Sequence, residues 1–505
     1  MKPAPDPSPS TARLALLALA AVGVVLGLGF GACAQDDAFI SFRYAANLLS
    51  GDGLVFNPGE RVEGYTNLSW TLLMAGILGL GIEPVAGATA LGLLCLAGAI
   101  GAAAALGRAV DPRGGAGMGL AAAALVAIDP WSALEAVEGL ETALFLLLLT
   151  AGAAAAVREA DRGQAPLGSS LCFCVAVLTR PEAPLVAALV HLGLLLGAGD
   201  RRAQLRRALL AGALVGGTLA ALTAWRLHFY GVPLPNTFYA KTGGLFLTRG
   251  AFYVWAHMLG HPALWLLLLA RAFLRPLDRR DLALLAPTLG ILAYVVSVGG
   301  DFKPTGRFLM PLHGMMAVLA ARGLWTPERG PRRVAVAVAT AVLLAGAGKA
   351  WSGADTWAEI RHANLEARRT VGLFLRQNLP PDTLMAIHSA GAVPYYAELP
   401  TIDMWGLTDA HIARSPNVAM GTGLAGHERS DPAYVFGRDP ALYLPEDRMF
   451  TRKPRQPIVE PGFPADFEDR YEPVSVPVEG RFLNFWVRKG FLAGLHGAGA
   501  PGATP

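Results

Sequence analysis

Two adjacent aspartates, Asp36 and Asp37, stand where a long apolar run ends. The run from Leu14 to Ala34 contains no charged residue and is long enough to cross a bilayer, which takes about 20 apolar residues. Two carboxylates at a membrane boundary are costly to desolvate and repel each other, so the pair indicates chemistry at the lipid surface. A simpler alternative is that Asp36 caps the next helix and Asp37 favours its dipole.

The residues after this pair have helical spacing, with Phe39, Phe42 and Ala46 on one side, which predicts a short helix at the membrane interface. Neighbouring helical residues point about 100° apart, so the two acids are expected to have separate tasks. We expect Asp37 to act as a general base. Asp36 would then cap the helix, orient its neighbour or hold a divalent cation such as Mg²⁺, Mn²⁺ or Ca²⁺. The sequence indicates no other cofactor.

Polar residues in later loops could complete such a site. The guanidinium and ammonium groups suited to a phosphate belong to Arg43, Lys241, Arg307 and Arg180. The side chains suited to a sugar or an acceptor belong to Glu63, Tyr65, Asn67, Glu141, Asn236, Tyr239 and Asp301.

Structural alternatives exist for several of these residues. Lys241 could be an interfacial lysine whose ammonium reaches for water. Arg180 and Glu182 could form an ion pair within a tight turn, and Asn67 and Asn236 could cap helices.

The composition is that of an integral membrane protein. Of the 505 residues, 53% are hydrophobic and only 16% are charged, whereas soluble domains carry about 25% charged residues. The net charge of +4 is too small, and the arginines too scattered, to indicate nucleic acid as a partner. The four cysteines lie in or beside apolar segments, which argues against a disulfide framework or a cysteine metal cluster. The abundance of Arg over Lys and of Ala and Gly suggests a bacterial source.

Twelve apolar segments, counting the first, predict a membrane body over residues 1–351. The first is expected to be an uncleaved helix rather than a signal peptide. Short arginine-rich loops near residues 201–207, 275–280 and 322–333 should be cytoplasmic. The parity of the remaining loops then predicts about eleven spans. The outward loops are 33–67, 129–139, 179–182, 226–251 and 299–307, and every residue after about 352 also faces outward.

The C-terminal part changes in character to mixed, charged and proline-containing sequence. An amphipathic helix over 358–377 and buried strands near 383–387 and 401–404 predict an extracytoplasmic α/β domain over residues 352–490. A flexible tail is expected over 491–505.

Several motifs together resemble the GT-C superfamily of polytopic, lipid-linked glycosyltransferases, and within it the bacterial terminal β-(1→2)-arabinofuranosyltransferases and their relatives. The resemblance covers most of the chain. It is carried by DDAFISFRYAANLLSGDGLVFNPGERVEGYTNLSW (36–70), EGLETALF (138–145), TRPEA (179–183), YGVPLPNTFYAK (230–241), GGDFKPTGRFLMP (299–311), IDMWGLTDAHIA (402–413) and GHE (426–428). One departure is Lys303-Pro304-Thr305, which lengthens the spacing between Asp301 and Arg307.

The resemblance implies a GT-C fold and an inverting glycosyltransferase in the bacterial inner membrane. It implies a polyprenyl-phosphate sugar donor and a catalytic acid in the first outer loop, at Asp36 or Asp37. The acceptor would be a cell-envelope glycan or another acceptor on the extracytoplasmic face. A pentose such as arabinofuranose or a hexose would be transferred. Two other functions remain open, namely a flippase for lipid-linked sugars and a non-catalytic regulatory membrane protein. The nearly charge-free spans, with no repeated halves, argue against the flippase.

Overall fold

The computed structural model describes residues 8–274, 276–303, 306–324, 333–416, 420–421, 423 and 425–493. Most of the predicted flexible tail and Arg275, Arg329 and Arg332 of the predicted cytoplasmic loops lie outside the described residues. The described part consists of a helical body followed by a smaller domain built on a β-sheet.

The body consists of sixteen described helices, the last of which continues into the C-terminal domain. They are α1 Pro9–Phe30, α2 Asp36–Ser50, α3 Leu68–Gly79, α4 Pro84–Val110, α5 Gly115–Ala127, α6 Pro130–Glu135, α7 Thr142–Arg162, α8 Leu167–Thr179, α9 Ala183–Leu196, α10 Arg201–Tyr230, α11 Asn236–Lys241, α12 Leu247–Gly260, α13 Pro262–Leu274, α14 Arg279–Val298, α15 His313–Leu324 and α16 Arg333–Asn378.

Small residues let the helices of the body approach closely. The central α4 packs along α5 and α7, and it is rich in Ala and Gly. A Cβ at Gly92 would stand 1.9 Å from the carbonyl oxygen of Ala136, so only glycine fits there. Such contacts are typical of helix packing in membranes, where van der Waals contact drives association.

The membrane character of the chain is evident in its apolar helices. Among the described residues, five helices are long and apolar enough to span a bilayer (α1, α4, α7, α10 and α14), and a bent pair would make six. The helices α3, α5, α8 and α9 are apolar but have only 12 to 14 residues. The number of eleven spans stays a prediction.

A bend divides one apolar stretch of the body. Residues 252–274 belong to two helices, because α12 and α13 meet at 101° around His261. The sequence there is Gly260-His261-Pro262, and a proline inside a continuous helix would remove a hydrogen bond and clash with the preceding turn.

Charged groups are segregated at the two ends of α14. At its start, Asp278 and Asp281 form a capping box and pair with Arg322 from α15. The helix has 20 residues, about 30 Å at 1.5 Å per residue, and at its far end it leads into Gly299 and Asp301. Arg279, Arg280 and Arg322 of the arginine-rich loops therefore lie at the opposite end of α14 from the loop of Asp301.

The C-terminal domain is a mixed sheet with short helices. Its elements are β1 Met385–Ile387, α17 Ala392–Ala397, β2 Thr401–Asp403, α18 Pro432–Gly437, β3 Leu442–Leu444, β4 Phe450–Thr451, α19 Phe467–Arg470, β5 Tyr471–Val478 and β6 Arg481–Arg488. The strand order is β2-β1-β3-β6-β4, with β5 also paired to β6, and only the β2-β1-β3 part is parallel. The two predicted strands near 383–387 and 401–404 are β1 and β2.

The boundary between the two parts lies within a helix. Residues 351 and 352, where the sequence predicted the change of domain, fall inside the 46-residue α16. The predicted amphipathic helix over 358–377 is the second half of this helix, and its Val371 and Leu375 belong to the core of the sheet domain. A continuous helix thus ties the domain to the body.

Candidate active site

One face of α2 forms a wall of a cavity of about 220 Å³. Asp37, Ile40 and Ser41 line it, and their spacing of three and four residues puts them on one side of the helix. The outer loops predicted from the sequence supply the other walls. Eight of the predicted site residues line the cavity: Asp37, Tyr65, Asn67, Glu141, Arg180, Lys241, Asp301 and Arg307.

Asp37 is surrounded by positive charge. Nη1 of Arg307 lies 4.0 Å from Oδ2 of Asp37, and Nη2 of the same guanidinium lies 2.8 Å from Oδ2 of Asp301. Burial alone raises the pKa of Asp37, but Lys303, Arg307 and Lys241 outweigh it and hold the pKa below its ordinary value. Asp37 is therefore an ionised carboxylate at neutral pH.

Two of these cations have hydrogen-bonding groups without a protein partner. Nζ of Lys303 and Nε of Arg307 are buried and donate no hydrogen bond to the described residues. Burial lowers the pKa of Lys303 to about 8, and Arg307 acts in the same direction. Arg307 also lines the cavity, and an unused donor there suits a ligand with many acceptor oxygens, such as a phosphate.

A second wall is a chain of hydrogen bonds between neutral and charged groups. Ser41 Oγ donates to Asn67 Oδ1 at 3.1 Å, and Asn67 Nδ2 donates to Glu141 Oε2 at 2.8 Å. Arg180 extends this wall through an ion pair, since its Nη1 lies 3.6 Å from Glu141 Oε1 without a hydrogen bond, and its Nε and Nη2 donate hydrogen bonds to Glu182. The ion pair considered for Arg180 is thus present, and both partners also line the cavity.

Asp36 has a different environment from Asp37. Its Oδ2 and Oδ1 accept hydrogen bonds from the backbone N–H groups of Gly391 and Ala392, at 3.0 and 2.8 Å. Nε of Arg368 lies 3.6 Å away. Asp36 thus holds the C-terminal domain while Asp37 faces the cavity, and the separate tasks expected of the two acids stay a prediction.

Other predicted residues lie outside the cavity lining. Arg43 is buried and donates to the carbonyl oxygens of Phe56, Pro394 and Leu399. Its guanidinium therefore has no free pair of N–H groups for bidentate binding of a phosphate. Asn236 donates to three carbonyl oxygens between residues 406 and 409, so it joins α11 to the C-terminal domain.

Glu63 and Tyr239 also have protein partners. Both carboxylate oxygens of Glu63 accept from Arg226, at 2.8 to 3.1 Å. The ring of Tyr239 lies beneath the guanidinium of Arg414, 4.3 Å from ring centroid to Cζ. Neither residue lines the cavity.

Sequence reasoning missed several residues near the cavity. Lys303 was considered only for the spacing between Asp301 and Arg307, although it is one of the cations that lower the pKa of Asp37. The C-terminal domain adds Leu407, Ala425 and Gly426 to the lining. His427 follows, with its ring 4.7 Å from that of Phe302. This histidine belongs to the GHE motif at 426–428, which was the sequence feature that could have indicated its place near the site.

The carboxylates that face the cavity are the ones that could hold a cation. Both oxygens of Asp36 already accept backbone hydrogen bonds, so Asp37 and Asp301 are better placed for one. The chain's own cations already surround these two carboxylates. Among the described residues, a cluster of at least three potential metal ligands occurs elsewhere, in the helical body.

The close approach of Gly391 to α2 gives a first testable prediction. A Cβ at Gly391 would stand 1.9 Å from the backbone oxygen of Asp36, so Gly391→Ala must displace α2 or the domain. We expect a lower Tm and reduced activity, since overpacking costs about 1–3 kcal/mol. Gly437→Ala is the control, because no atom lies within 4 Å of its added Cβ. Equal Tm values for the two variants, by thermal unfolding in detergent, would contradict this contact.

The helical body, the acidic first loop and the C-terminal sheet domain together define the GT-C fold, as the resemblance implied. ArnT from Cupriavidus metallidurans in the apo state matches 95% of this chain and 98% of its own, with a TM-score of 0.55 and 14% identity. The same protein bound to undecaprenyl phosphate matches 78% of this chain and 86% of its own, with a TM-score of 0.51 and 15% identity. The oligosaccharyltransferase AglB from Archaeoglobus fulgidus, in complex with an inhibitory peptide and a dolichol-phosphate, matches 77% of this chain and 64% of its own. The TM-score is 0.52 and the identity is 12%. At these identities the likeness shows the fold alone.

A relative of closer sequence is the terminal β-(1→2)-arabinofuranosyltransferase of Mycobacterium tuberculosis. It is 32% identical over 338 residues, which is 58% of this chain and 53% of the relative. The resemblance predicted from the motifs is thereby confirmed. The chain spans about half the length of the curated relatives it matches. Residues 358–490 match a family described as a domain of unknown function (DUF8728).

Proposed function

We propose that this chain is a membrane glycosyltransferase that transfers a sugar from a polyprenyl-phosphate donor to a glycan acceptor. The observation that carries the proposal is the cavity in which Asp37 faces Arg307 and Lys241. The named relative and the shared fold support the class of reaction. The polyprenyl phosphates bound by ArnT and AglB support the class of donor.

Asp37 would be the general base of the transfer. The acceptor oxygen attacks the anomeric carbon and its proton passes to Asp37. The bond from that carbon to the phosphate oxygen breaks, and its electron pair leaves with the phosphate. Attack from the face opposite the phosphate inverts the anomeric centre. Base catalysis of this kind is worth about 10²–10⁴-fold.

The low pKa of Asp37 in the free protein is compatible with this task. Its pKa is low because Lys303, Arg307 and Lys241 favour the carboxylate. A donor phosphate would take up part of that positive charge and add negative charge of its own, and both effects raise the pKa of Asp37. The base would thus become stronger when the donor binds.

The leaving phosphate is a weak base and needs cations rather than an acid. Arg307 and Lys241 line the cavity, and Arg180 lies on a second wall. We propose that Arg307 and Lys241 bind the phosphate, with the buried Lys303 adding positive charge as it does at Asp37. Preorganised charges in a site that excludes water stabilise a transition state more than they would in water. Arg43, with its three carbonyl acceptors, is left out of this assignment.

The acceptor would enter from the side of the C-terminal domain. Leu407, Ala425 and Gly426 of that domain line the same cavity as Asp37. Placing this domain and the loop of Asp37 on the extracytoplasmic face of the inner membrane agrees with the arginine-rich loops at the opposite end of α14.

The charges around Asp37 give a pH prediction. Asp37 stays ionised in the free protein, and Lys303 with its pKa of about 8 loses its charge as the pH rises. We expect kcat/KM to be constant between about pH 5 and about pH 7 and to fall above about pH 8. Lys303→Met should be slower and should show a smaller alkaline decline, and the remainder belongs to Lys241, whose pKa burial also lowers. The assay is the pH profile of transfer in detergent.

A decline on the acidic side near neutrality would contradict the role of Asp37. Burial, with Glu135 in addition, raises the pKa of Glu138 to about 7, but Glu138 is fully buried and lies outside the cavity lining, so it is not an alternative base.

Deletion of the gene tests the proposed function in the cell. We expect mass spectrometry of the envelope glycans to show the loss of a terminal sugar, together with accumulation of its unused lipid-linked donor. That donor would identify the sugar, whether a pentose or a hexose. Unchanged glycans and unchanged lipid-linked sugars would refute the proposal.

A further inference from the structure

A row of aromatic rings lies where the C-terminal domain meets the cavity. The ring centroids of Trp405 and His427 are 4.4 Å apart, and the ring of Phe302 lies 4.7 Å from that of His427. Leu407, two residues after Trp405, and Gly426, directly before His427, both line the cavity. The proposed mechanism gives these rings no task.

Trp405 lies at the edge of the sheet where ligands of parallel sheets usually bind. It follows the end of β2 by two residues, and His388 directly follows β1. Because β1 and β2 are parallel, both residues lie at the carboxyl ends of the strands. The ring of His388 lies 5.3 Å from that of Trp405, and its Nε2 lies 3.2 Å from a carboxylate oxygen of Glu460. The indole thus packs against a side chain that is itself held in place.

The turn that carries Trp405 is fixed from two sides. The buried carboxylate of Asp403 accepts the backbone N–H groups of Trp405 at 3.0 Å and of Thr408 at 2.8 Å. Asn236 of α11 donates to carbonyl oxygens of the same turn, and α11 also carries Lys241. The position of Trp405 relative to the cavity is therefore determined by the fold.

The loop of His427 is held against the cavity by both neighbours of the histidine. The carboxylate of Glu428 lies 3.0 Å from Nη1 of Arg249, which lines the cavity. Gly426 packs on the stem of Lys241, since a Cβ there would stand 3.1 Å from Cε of the lysine. His427 is thus placed beside the residues proposed to bind the donor.

Two polar atoms of these rings have no partner among the described residues. Nε1 of Trp405 donates no hydrogen bond, and the side chain is half-buried. Nδ1 of His427 donates to the carbonyl oxygen of Ala425 at 3.2 Å, which leaves a lone pair on Nε2. Burial, with Lys241 in addition, outweighs Asp37 and lowers the pKa of His427, so the imidazole is neutral at pH 7. The rings therefore offer one donor and one acceptor without net charge.

We propose that Trp405 and His427 form a subsite for an uncharged sugar residue of the acceptor, an inference that rests on the proposed function. The C–H groups of a sugar carry partial positive charge and pack on the negative face of an indole. Nε2 of His427 would accept a hydrogen bond from a sugar hydroxyl. Arg307 and Lys241 of the body bind the donor phosphate in the proposed mechanism, so the subsite in the C-terminal domain is assigned to the acceptor.

The test is steady-state transfer by the full chain in detergent, with the concentrations of acceptor and lipid donor varied separately. The acceptor probes are an arabinofuranose oligosaccharide and a glucose oligosaccharide. We expect Trp405→Leu and His427→Leu each to raise the acceptor KM about tenfold and to leave the donor KM unchanged. Trp405→Phe keeps an aromatic face and should raise the acceptor KM only about twofold.

Phe450→Leu is the matched control. Phe450 is a half-buried aromatic residue of the same domain, and it lies on β4, at the opposite edge of the sheet from β2. Its acceptor KM should equal that of the wild type. Unchanged acceptor KM values in both Trp405→Leu and His427→Leu would overturn the proposal, as would a rise in the donor KM alone.

Equilibrium binding separates this inference from the proposed function. Asp37→Asn, which should not transfer, is titrated with the same oligosaccharides, and we expect it to bind one of them about as the wild type does. Adding His427→Leu or Trp405→Phe should weaken that binding, by about tenfold and about twofold. Equal binding by these variants, or binding of neither oligosaccharide by the wild type, would overturn the subsite. Binding that depends on Trp405 in a wild type without transfer would support the subsite and refute the proposed function.

Discussion

Asp37→Asn should lose transfer while the protein remains folded. Asparagine has nearly the same shape but cannot take a proton from the acceptor, so kcat should fall about 10²–10⁴-fold. Asp37 donates or accepts no hydrogen bond that supports the fold among the described residues, and its side chain is 26% exposed to the cavity. The Tm should therefore change little. The measurement is single-turnover transfer with saturating lipid donor, alongside thermal unfolding in the same detergent.

Asp36→Asn is the matched control for this prediction. An amide can replace only one of the two carboxylate oxygens that accept from Gly391 and Ala392, and it also loses the attraction of Arg368. We expect a lower Tm with measurable residual transfer. Full activity of Asp37→Asn, together with an inactive but normally stable Asp36→Asn, would reverse the two assignments.

Arg226→Met should destabilise the chain more than any other single change considered. Glu63 is buried, and Arg226 is its bidentate partner, with bonds of 2.8 Å and 2.9 Å from Nε and Nη2. Removing one partner leaves an uncompensated buried charge, which costs about 3–5 kcal/mol. The measurement is thermal unfolding in detergent.

The double variant Glu63→Leu with Arg226→Met shows whether Glu63 has a structural role or binds the sugar. Replacing a buried pair by apolar residues of similar size is often neutral, so we expect most of the stability to return. Because Glu63 does not line the cavity, transfer should also return. A stable but inactive double variant would show instead that Glu63 contacts the substrate.

Helix phasing alone predicted much about α2. It separated the surroundings of Asp36 and Asp37, and it could also have placed Arg43. Seven residues separate Arg43 from Asp36, which is almost two full turns, so the two share a face turned away from Asp37. The chemical suitability of a guanidinium for phosphate outweighed this phasing in the prediction. The structure shows Arg43 and Asp36 both bonded to residues 391–399.

The partners that decide function were not predictable from local sequence. Asp36 and Gly391 are 355 residues apart, and Glu63 and Arg226 are 163 apart. No local pattern shows which polar loop residue meets a distant protein group and which stays free for a ligand. The bond between Asp129 and His313 likewise joins residues that are 184 apart in the chain. In contrast, the break at Gly260-His261-Pro262 was readable from the chemistry of proline.

The most direct test of the central claim is transfer in reconstituted vesicles. Purified wild type is supplied with a polyprenyl-phosphate sugar and a glycan acceptor, and mass spectrometry follows donor, acceptor and free polyprenyl phosphate. The account predicts that glycosylated acceptor and free polyprenyl phosphate form in equal amounts, and that Asp37→Asn forms neither at a comparable rate. Equal rates for the wild type and Asp37→Asn, or donor consumed without glycosylated acceptor, would contradict it.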